Sequence, residues 1–123
     1  MKNYKLEQDV VSFQQAIDLC TIGYNEPTLC AYDIDDQQLY LCQLDEEGLY
    51  MPQKDIYAPT HSQAFRWFRN NYDAHMYPSR LMRGIYVVRY GDWDSEAFKT
   101  YEEAENACID KLILICKQQD NGK

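Results

Sequence analysis

Histidines and cysteines, which commonly act as catalytic bases and nucleophiles, are few in this chain of 123 residues. The two histidines are His61 and His75, and the five cysteines are Cys20, Cys30, Cys42, Cys108 and Cys116. Nucleophilic catalysis needs a cysteine or serine beside a histidine base. Either histidine could in principle serve one of the first three cysteines, but no spacing selects a pair. We therefore expect no catalytic residues and interpret the protein as a non-enzyme.

Metal and phosphate sites also lack their sequence signatures. A calcium loop supplies about six to eight oxygen ligands and carries a glycine and a distant glutamate, which the run of Asp33, Asp35 and Asp36 lacks. Turn formation explains these aspartates more simply. Gly84 and Gly91 are isolated and form neither a dinucleotide-binding motif nor a P-loop. We expect no metal and no cofactor.

The cysteines show no Cys-x-x-Cys pair, and their number is odd. These features favour neither a disulfide framework nor a zinc site. We expect reduced cysteines that pack as small apolar residues in the core.

Charge is divided unevenly along the chain. The net charge is −8, from 12 basic and 20 acidic residues. Residues 1–59 contribute −8 (three Lys, eleven acids), 60–91 contribute +4 (five Arg, one Asp) and 92–123 contribute −4 (four Lys, eight acids). Every arginine and both histidines lie in the middle segment, and all seven lysines lie outside it. The overall charge repels phosphate backbones and anionic membranes.

The middle segment supplies the candidate binding residues. On the second predicted helix, the polar face opposite the aromatic residues carries Arg66, Arg69 and Asn70. Arg83 and Arg89 lie an even number of residues apart in a predicted strand, so we expect both side chains on one face of it. Arginine presents a planar fork to carboxylate or phosphate and stacks on aromatic rings. These five residues form the candidate binding site.

Three uses of these arginines are open. They can pair with acidic residues of the first and last segments, each exposed pair contributing about 0–1 kcal/mol. They can form a protein-recognition surface, because Arg, Tyr and Trp are enriched in interface hot spots. They can contact nucleic acid, although the net charge of −8 opposes this. We favour internal pairing.

Three capping boxes mark the starts of the helices that position these residues. The boxes begin at Ser12, Thr60 and Thr100, each followed three residues later by Gln or Glu. The first two helices carry apolar residues at the same angles, offset by 48 residues, with Gly23 and Asn71 at matching C′ positions. The pattern indicates a helix-then-strands unit used twice, or two helices that independently follow the same rules.

The third helix is predicted over 101–118, and strand-like segments alternate with the helices. They are 28–34, 38–44, 49–51, 81–90 and 96–99, with turns at 35–37 and 91–94. The order α-β-β-(β)-α-β-β-α indicates an α+β fold, an antiparallel sheet of hairpins with three helices.

Length and composition predict one domain spanning 1–123, with an ordered core of about 6–117. Hydrophobic residues make up 46% of the sequence, which argues against a disordered acidic chain. No segment approaches the roughly 20 apolar residues of a membrane span, and the start of the chain lacks a signal-peptide pattern. We expect a cytoplasmic protein that does not contact a membrane.

Two motifs carry a family resemblance. They are Pro59-Thr60-His61-Ser62-Gln63-Ala64-Phe65-Arg66-Trp67-Phe68-Arg69 and Tyr101-Glu102-Glu103-Ala104-Glu105-Asn106-Ala107-Cys108. With the earlier phrase Val-Ser-Phe-Gln-Gln-Ala, the sequence resembles small uncharacterised phage or prophage-type proteins of Bacteroides-like gut bacteria, over roughly residues 6–117. The resemblance implies an α+β fold and a phage or mobile-element setting. It implies no activity and no site residues.

Together these observations predict a non-enzymatic accessory protein of a phage or mobile element that binds another protein. The alternative is a nucleic-acid-associated protein that uses an arginine and aromatic face, or an acidic decoy whose first third mimics DNA. We do not expect nucleic acid as the partner. A homo-oligomer formed through an exposed sheet edge, at 49–51 or 96–99, is a further expectation.

Overall fold

The computed structural model describes residues 9–45, 48–50, 55–91 and 93–121. Contacts between Cα atoms divide the chain into two compact units, Met1–His61 and Ser62–Lys123, which we call unit 1 and unit 2. The expectation of one domain over 1–123 stays a prediction.

Unit 1 contains helix α1 (Phe13–Thr21). Its predicted capping box is confirmed: the Gln15 amide donates to Ser12 Oγ at 3.1 Å, and the Ser12 amide donates to Gln15 Oε1 at 2.8 Å. Two amides that lack intrahelical partners are thereby satisfied. The helix buries Leu19, and the chain leaves it through Gly23, whose φ of 107° favours glycine.

Among the described residues of unit 1, five short strands follow. They are β1 (Cys30–Tyr32), β2 (Leu39–Leu41), β3 (Gln43–Asp45), β4 (Gly48–Tyr50) and β5 (Ile56–Ala58). β1 is the central strand of an antiparallel sheet of order β2-β1-β5, and β3 pairs with β4 in a separate two-stranded sheet. α1 contacts β5, which joins the helix to one edge of the larger sheet.

The predicted hairpin of 28–34 and 38–44 is confirmed, with shorter strands. β1 and β2 pair antiparallel, with Ala31 opposite Tyr40. β4 includes the first two residues of the predicted strand at 49–51, and the third lies outside the described residues.

Unit 2 carries a three-stranded sheet and two helices among its described residues. The elements are α2 (His61–Tyr72), β6 (Met76–Met82), β7 (Ile85–Tyr90), β8 (Trp93–Asp94) and α3 (Tyr101–Asn121). α2 begins directly after the predicted cap Thr60. The strands form an antiparallel sheet of order β6-β7-β8, and α3 contacts both β6 and β7. The α+β class and the predicted order of helices and hairpins are confirmed.

The predicted strand over 81–90 is wrong, because a turn interrupts it. Arg83 and Gly84 form the turn between β6 and β7, and Gly84 has a φ of 76°, a left-handed conformation that favours glycine. The strand before the turn starts at Met76, although it contains Pro78. Proline is tolerated there because β6 is an edge strand of its sheet.

The segment after β7 also differs from the prediction. β8 falls in the predicted turn at 91–94 and pairs with the end of β7. The predicted strand at 96–99 is reduced to one bridge between Phe98 and Tyr86, with backbone hydrogen bonds of 2.7 and 2.9 Å. The chain therefore returns to the sheet directly after Gly91, whose φ is 60°.

α2 and α3 extend beyond their predicted ends. Asn71, predicted as a C′ residue, is helical, and the left-handed conformation falls on Asp73, with a φ of 52°. α3 ends at 121 rather than 118. At its start, Thr100 Oγ1 accepts from the Glu103 amide at 3.1 Å, as predicted. The Glu103 carboxylate accepts from the amide of Lys99 at 3.3 Å, so the reciprocal bond lies one residue earlier than in a capping box.

One face of α3 is buried. Its buried residues are Ala104, Cys108, Ile109, Leu112, Ile113 and Cys116. A wide apolar stripe suits a helix that packs on two strands. Although α3 has 21 residues, no helix in the described parts of the chain combines the length and hydropathy that crossing a membrane requires.

Candidate functional site

The predicted arginine face of α2 is present. Arg66, Arg69 and Asn70 are exposed, whereas Trp67 and Phe68 are 5% and 0% exposed. Trp67 and Phe68 therefore pack inward, while the arginines of the helix reach solvent. Neither arginine forms an ion pair with any residue that the structure describes.

Arg89, on β7, does form an ion pair. Its Nε lies 3.4 Å from Oδ1 of Asp94, which is directly opposite on β8. The side chains are 36% and 45% exposed, so the pair contributes about 0–1 kcal/mol to stability. Arg89 fits the predicted internal pairing.

The other arginines show no such pair among the described residues. Arg80 and Arg83 are exposed at the turn between β6 and β7, and neither has an ion-pair partner among the described residues. Internal pairing of Arg66, Arg69, Arg80 and Arg83 with acidic residues therefore stays a prediction, because no pair is present among the described residues. The expectation that Arg83 and Arg89 share a strand face is also wrong, because Arg83 lies in the turn.

Three acidic side chains of unit 2 have partners other than an arginine. Asp73 Oδ1 lies 2.7 Å from His75 Nε2. Asp120 accepts a hydrogen bond from the Tyr72 hydroxyl at 3.1 Å, and Glu103 caps α3.

We call residues 80–83 the hairpin tip: Arg80, Leu81, Met82 and Arg83. The strand register shifts between Arg80 and Met82. These two residues are separated by Leu81 on β6, but they pair with adjacent residues on β7. A bulge of this kind changes the direction of the side chains. Leu81 is 48% exposed and Met82 is 58% exposed. Two consecutive large apolar side chains thus reach solvent between two exposed arginines.

This combination distinguishes the hairpin tip from an ordinary surface. Single exposed apolar residues are common and need no explanation. Here they are consecutive, and Tyr77 of the same strand is also 50% exposed. Grouped apolar exposure marks interaction surfaces, and arginine and methionine are both enriched in protein interfaces.

The structure brings together only part of the predicted site. Arg66, Arg69 and Asn70 share a face of α2, while Arg83 and Arg89 lie at opposite ends of β7. Within the described residues, no hydrogen bond, ion pair or ring contact joins these two groups. The predicted five residues therefore lie on a helix and on a hairpin that no described bond between them joins.

Sequence reasoning missed Leu81 and Met82. It placed them at the start of a continuous strand, where their exposure could not be foreseen. The available signal is Gly84, since a glycine between two runs of β-forming residues is typical of a hairpin. A hairpin there would have placed both apolar residues beside a turn.

The two histidines occupy contrasting environments. His61, the first residue of α2, is 6% exposed. The His75 side chain is 61% exposed and pairs with Asp73. The expectation of a non-enzyme stays a prediction.

All five cysteines are free thiols. Cys30, Cys108 and Cys116 are buried, as predicted, and Cys42 is half-buried. Burial raises the pKa of Cys108 and of Cys116 to about 12, so both thiols stay protonated at neutral pH. Core packing is wrong for Cys20, which is exposed.

The aspartates between β1 and β2 act as turn residues, as predicted. Asp33 Oδ1 accepts from the amides of Asp35 at 2.8 Å and Asp36 at 3.3 Å. Asp36 Oδ1 accepts from the amide of Gln38 at 2.9 Å. In the part of the chain that the structure describes, no three histidine, cysteine or carboxylate side chains are grouped to hold a metal ion.

No protein-family model, curated protein or solved structure matches this chain. The resemblance to phage-type proteins stays a prediction.

Proposed function

We propose that this protein is a non-enzymatic binding module whose hairpin tip binds an acidic segment of another protein that carries a large apolar side chain. One observation carries the proposal: Leu81 and Met82, each about half exposed, lie between Arg80 and Arg83. Neither arginine is engaged in an ion pair with a described residue.

The apolar and charged halves of the hairpin tip favour the same kind of ligand. Complete burial of a leucine or methionine side chain contributes about 1.5–3 kcal/mol. Because about half of each side chain is still exposed, covering both contributes a similar total of about 1.5–3 kcal/mol. Arginine adds paired hydrogen bonds to carboxylates. Methionine adapts its shape to different apolar partners.

The backbone of the hairpin tip is already ordered before binding. Arg80 pairs with Tyr86, and Met82 pairs with Ile85 at the end of the ladder. Gly84 closes the turn in a conformation that glycine adopts without strain. A preorganised surface loses little conformational entropy on binding, so more of the contact energy contributes to affinity.

The charge balance favours a protein over nucleic acid. Residues 62–123 carry nine basic and nine acidic side chains, and residues 1–61 carry three basic and eleven acidic ones. Nucleic-acid affinity depends on many phosphate contacts. A chain with one neutral unit and one strongly acidic unit disfavours such contacts. A short acidic peptide segment needs only the two arginines of the hairpin tip.

We place this binding in the cytoplasm, in the setting of a phage or mobile element. That setting is taken from the sequence resemblance, which itself stays a prediction. The five free thiols support a reducing compartment, because cytoplasmic proteins keep their cysteines reduced.

The test is a selection of binding peptides from a random displayed library on the full chain. We expect the recovered peptides to combine Asp or Glu with a large apolar residue. A purified peptide should lose at least tenfold in affinity for Arg80→Glu with Arg83→Glu, and also for Leu81→Ser with Met82→Ser. Fluorescence anisotropy of the labelled peptide measures each affinity.

Two further variants locate the binding surface. Lys99→Glu with Lys111→Glu makes the same change in charge at exposed positions outside the hairpin tip, and we expect it to leave affinity within about twofold. If Arg66→Glu with Arg69→Glu abolished binding while the hairpin-tip variants did not, the proposed site would be wrong.

Other classes of ligand give opposite outcomes. A short DNA duplex and a vesicle rich in phosphatidylserine serve as probes. If either bound through Arg80 and Arg83 while the library yielded no acidic peptide, the proposal of a protein partner would be overturned.

A further inference from the structure

Unit 1 contains a cavity of about 180 Å³ beside α1 and β5. Its wall includes Cys20 and Tyr24 from the end of α1 and the loop after it, and Asp55, Ile56 and Tyr57 from the segment that forms β5. The lining is mainly apolar, with one carboxylate in the wall. Sites for small molecules share this composition, an apolar cavity with a few placed polar groups.

One oxygen of the carboxylate in the wall accepts a hydrogen bond, and the other has no partner among the described residues. The Tyr40 hydroxyl donates a hydrogen bond to Oδ2 of Asp55. Burial and the neighbouring Asp55 raise the pKa of Tyr40, so this hydroxyl remains a donor at neutral pH. Oδ1 of Asp55 is buried and has no hydrogen-bond partner among the described residues.

An unsatisfied buried carboxylate oxygen is unfavourable, and a hydrogen-bond donor would relieve it. A cationic donor is the strongest choice, because bonds between charged partners are about twice as strong as neutral ones. Since Oδ1 is covered, a small rotation of the carboxylate is needed to present it to the cavity. Tyr24 and Tyr57 supply aromatic rings, which also attract cations.

We propose that this cavity binds a small molecule that carries a primary ammonium group on a body the size of one aromatic ring. The ammonium group donates to Asp55, and the body packs against Ile56 and the tyrosine rings. A cavity of about 150 Å³ holds a benzene-sized ring, so 180 Å³ accommodates such a ligand.

Two features select this class over other cations. A hard metal ion needs about six or more oxygen ligands, and no group of three metal-ligating side chains occurs in the described residues. The acidic excess of unit 1, eleven acids against three lysines over residues 1–61, raises the local concentration of organic cations. The wall carboxylate then gives the site its specificity.

The test uses benzylamine and, as its neutral counterpart of nearly equal shape, benzyl alcohol. Both are titrated into the full-length protein and followed by NMR shifts of amides around Asp55 and Tyr57. We expect benzylamine to bind at least tenfold more tightly than benzyl alcohol. Equal binding of the two, or no saturable binding of benzylamine, would overturn the proposal without any variant being made.

A matched pair of variants separates the site from the general acidity of unit 1. Asp55→Asn removes the wall charge and keeps an oxygen to accept from Tyr40. Glu26→Gln removes one charge at an exposed residue that does not line the cavity. We expect Asp55→Asn to weaken benzylamine at least tenfold and Glu26→Gln to change it less than twofold. Equal effects would mean that benzylamine is only a counterion.

Cys20 provides a second readout in the unaltered protein. It lines the cavity and is exposed, whereas Cys30, Cys108 and Cys116 are buried. A thiol reagent such as DTNB should therefore modify Cys20 first. Saturating benzylamine should slow this reaction severalfold and benzyl alcohol should not. Unchanged reactivity in the presence of bound benzylamine would place the ligand elsewhere.

Discussion

Unit 1 and unit 2 each contain a helix that starts after a hydroxyl side chain and leads into antiparallel strands, yet they differ in charge. Unit 1 has eleven acidic and three basic residues, and unit 2 has nine of each. The net charge of −8 therefore belongs entirely to unit 1. Although unit 2 has no net charge, it carries four exposed arginines that form no ion pair with a described residue. A net charge for the whole chain would have hidden both facts.

The two helices also differ at equivalent positions. Leu19 of α1 and Trp67 of α2 are both buried, at 0% and 5% exposure. One residue later, Phe68 is fully buried while Cys20 is exposed and lines the cavity. The same pattern of helix positions thus serves core packing in unit 2 and the wall of a cavity in unit 1.

The largest expected effect tests this difference between the helices. Phe68→Ala should destabilise unit 2 by about 3–5 kcal/mol, because it removes a fully buried aromatic ring. The equivalent change Cys20→Ala should alter stability by less than about 0.5 kcal/mol. Both tryptophans lie in unit 2, so urea unfolding followed by tryptophan fluorescence measures the first effect. If the two variants lost similar amounts of unfolding free energy, the difference in burial between Phe68 and Cys20 would be contradicted.

The second prediction concerns alkaline pH and the buried thiols of unit 2. Folding raises the pKa of Cys108 and Cys116 to about 12, against about 8.5 for an unfolded cysteine. Between these values the folded state holds more protons than the unfolded state, so stability falls as pH rises. From about pH 8 to about pH 10 the expected loss is roughly 2 kcal/mol per thiol. Below about pH 8 their contribution stays constant.

Urea midpoints measured across this pH range check the slope. Cys108→Ala should make the decline shallower, whereas Cys20→Ala should leave it unchanged. A slope that is the same in all three proteins would show that the buried thiols do not cause it.

A third, smaller effect tests how far the two helix starts correspond. Ser12→Ala should lower the stability of α1 by about 1 kcal/mol, because the Gln15 amide loses its acceptor. Hydrogen exchange of the α1 amides measures this change. Thr60→Ala should have a similar cost in α2 if both units use the same cap. If Thr60→Ala caused a negligible loss of stability, the two helix starts would share a sequence pattern but not a stabilising cap.

The smallest expected effect is at the ion pair of unit 2. Arg89→Ala should change stability by less than about 1 kcal/mol, since both partners are partly exposed. Urea midpoints at low and high salt check this, and the difference should shrink as salt screens the pair. A cost of several kcal/mol would mean that Arg89 has a structural role beyond Asp94.

Local chemistry explains which parts of the fold could be predicted. The helix starts depend on a few adjacent residues, and Ser12 with Gln15 forms the predicted capping box. The α+β order follows from these starts and from the turns between them. The hairpin of unit 2 was misplaced because its turn at Arg83 and Gly84 lies inside the predicted strand over 81–90. Its first strand contains Pro78, which an edge position permits.

Exposure at the candidate sites could not be predicted in the same way. Arg66 and Arg69 follow from helical periodicity, and both are exposed as expected. Exposure of Leu81 and Met82 depends on the bulge and turn of one hairpin. The Asp55 cavity depends on contacts between a helix and a strand that lie far apart in sequence. No local pattern contains that information.

Pro78 has a consequence for the behaviour of the protein at high concentration. Val88, its neighbour on β7, directs its amide and carbonyl to Ser95, so the backbone of Pro78 faces the open edge of the sheet. Proline has no amide to donate there, and the charged Arg80 follows two residues later. A strand from another copy would find a broken ladder and a charge, which opposes fibril growth along β6. The protein can therefore expose an apolar hairpin end without that strand acting as a template for aggregation.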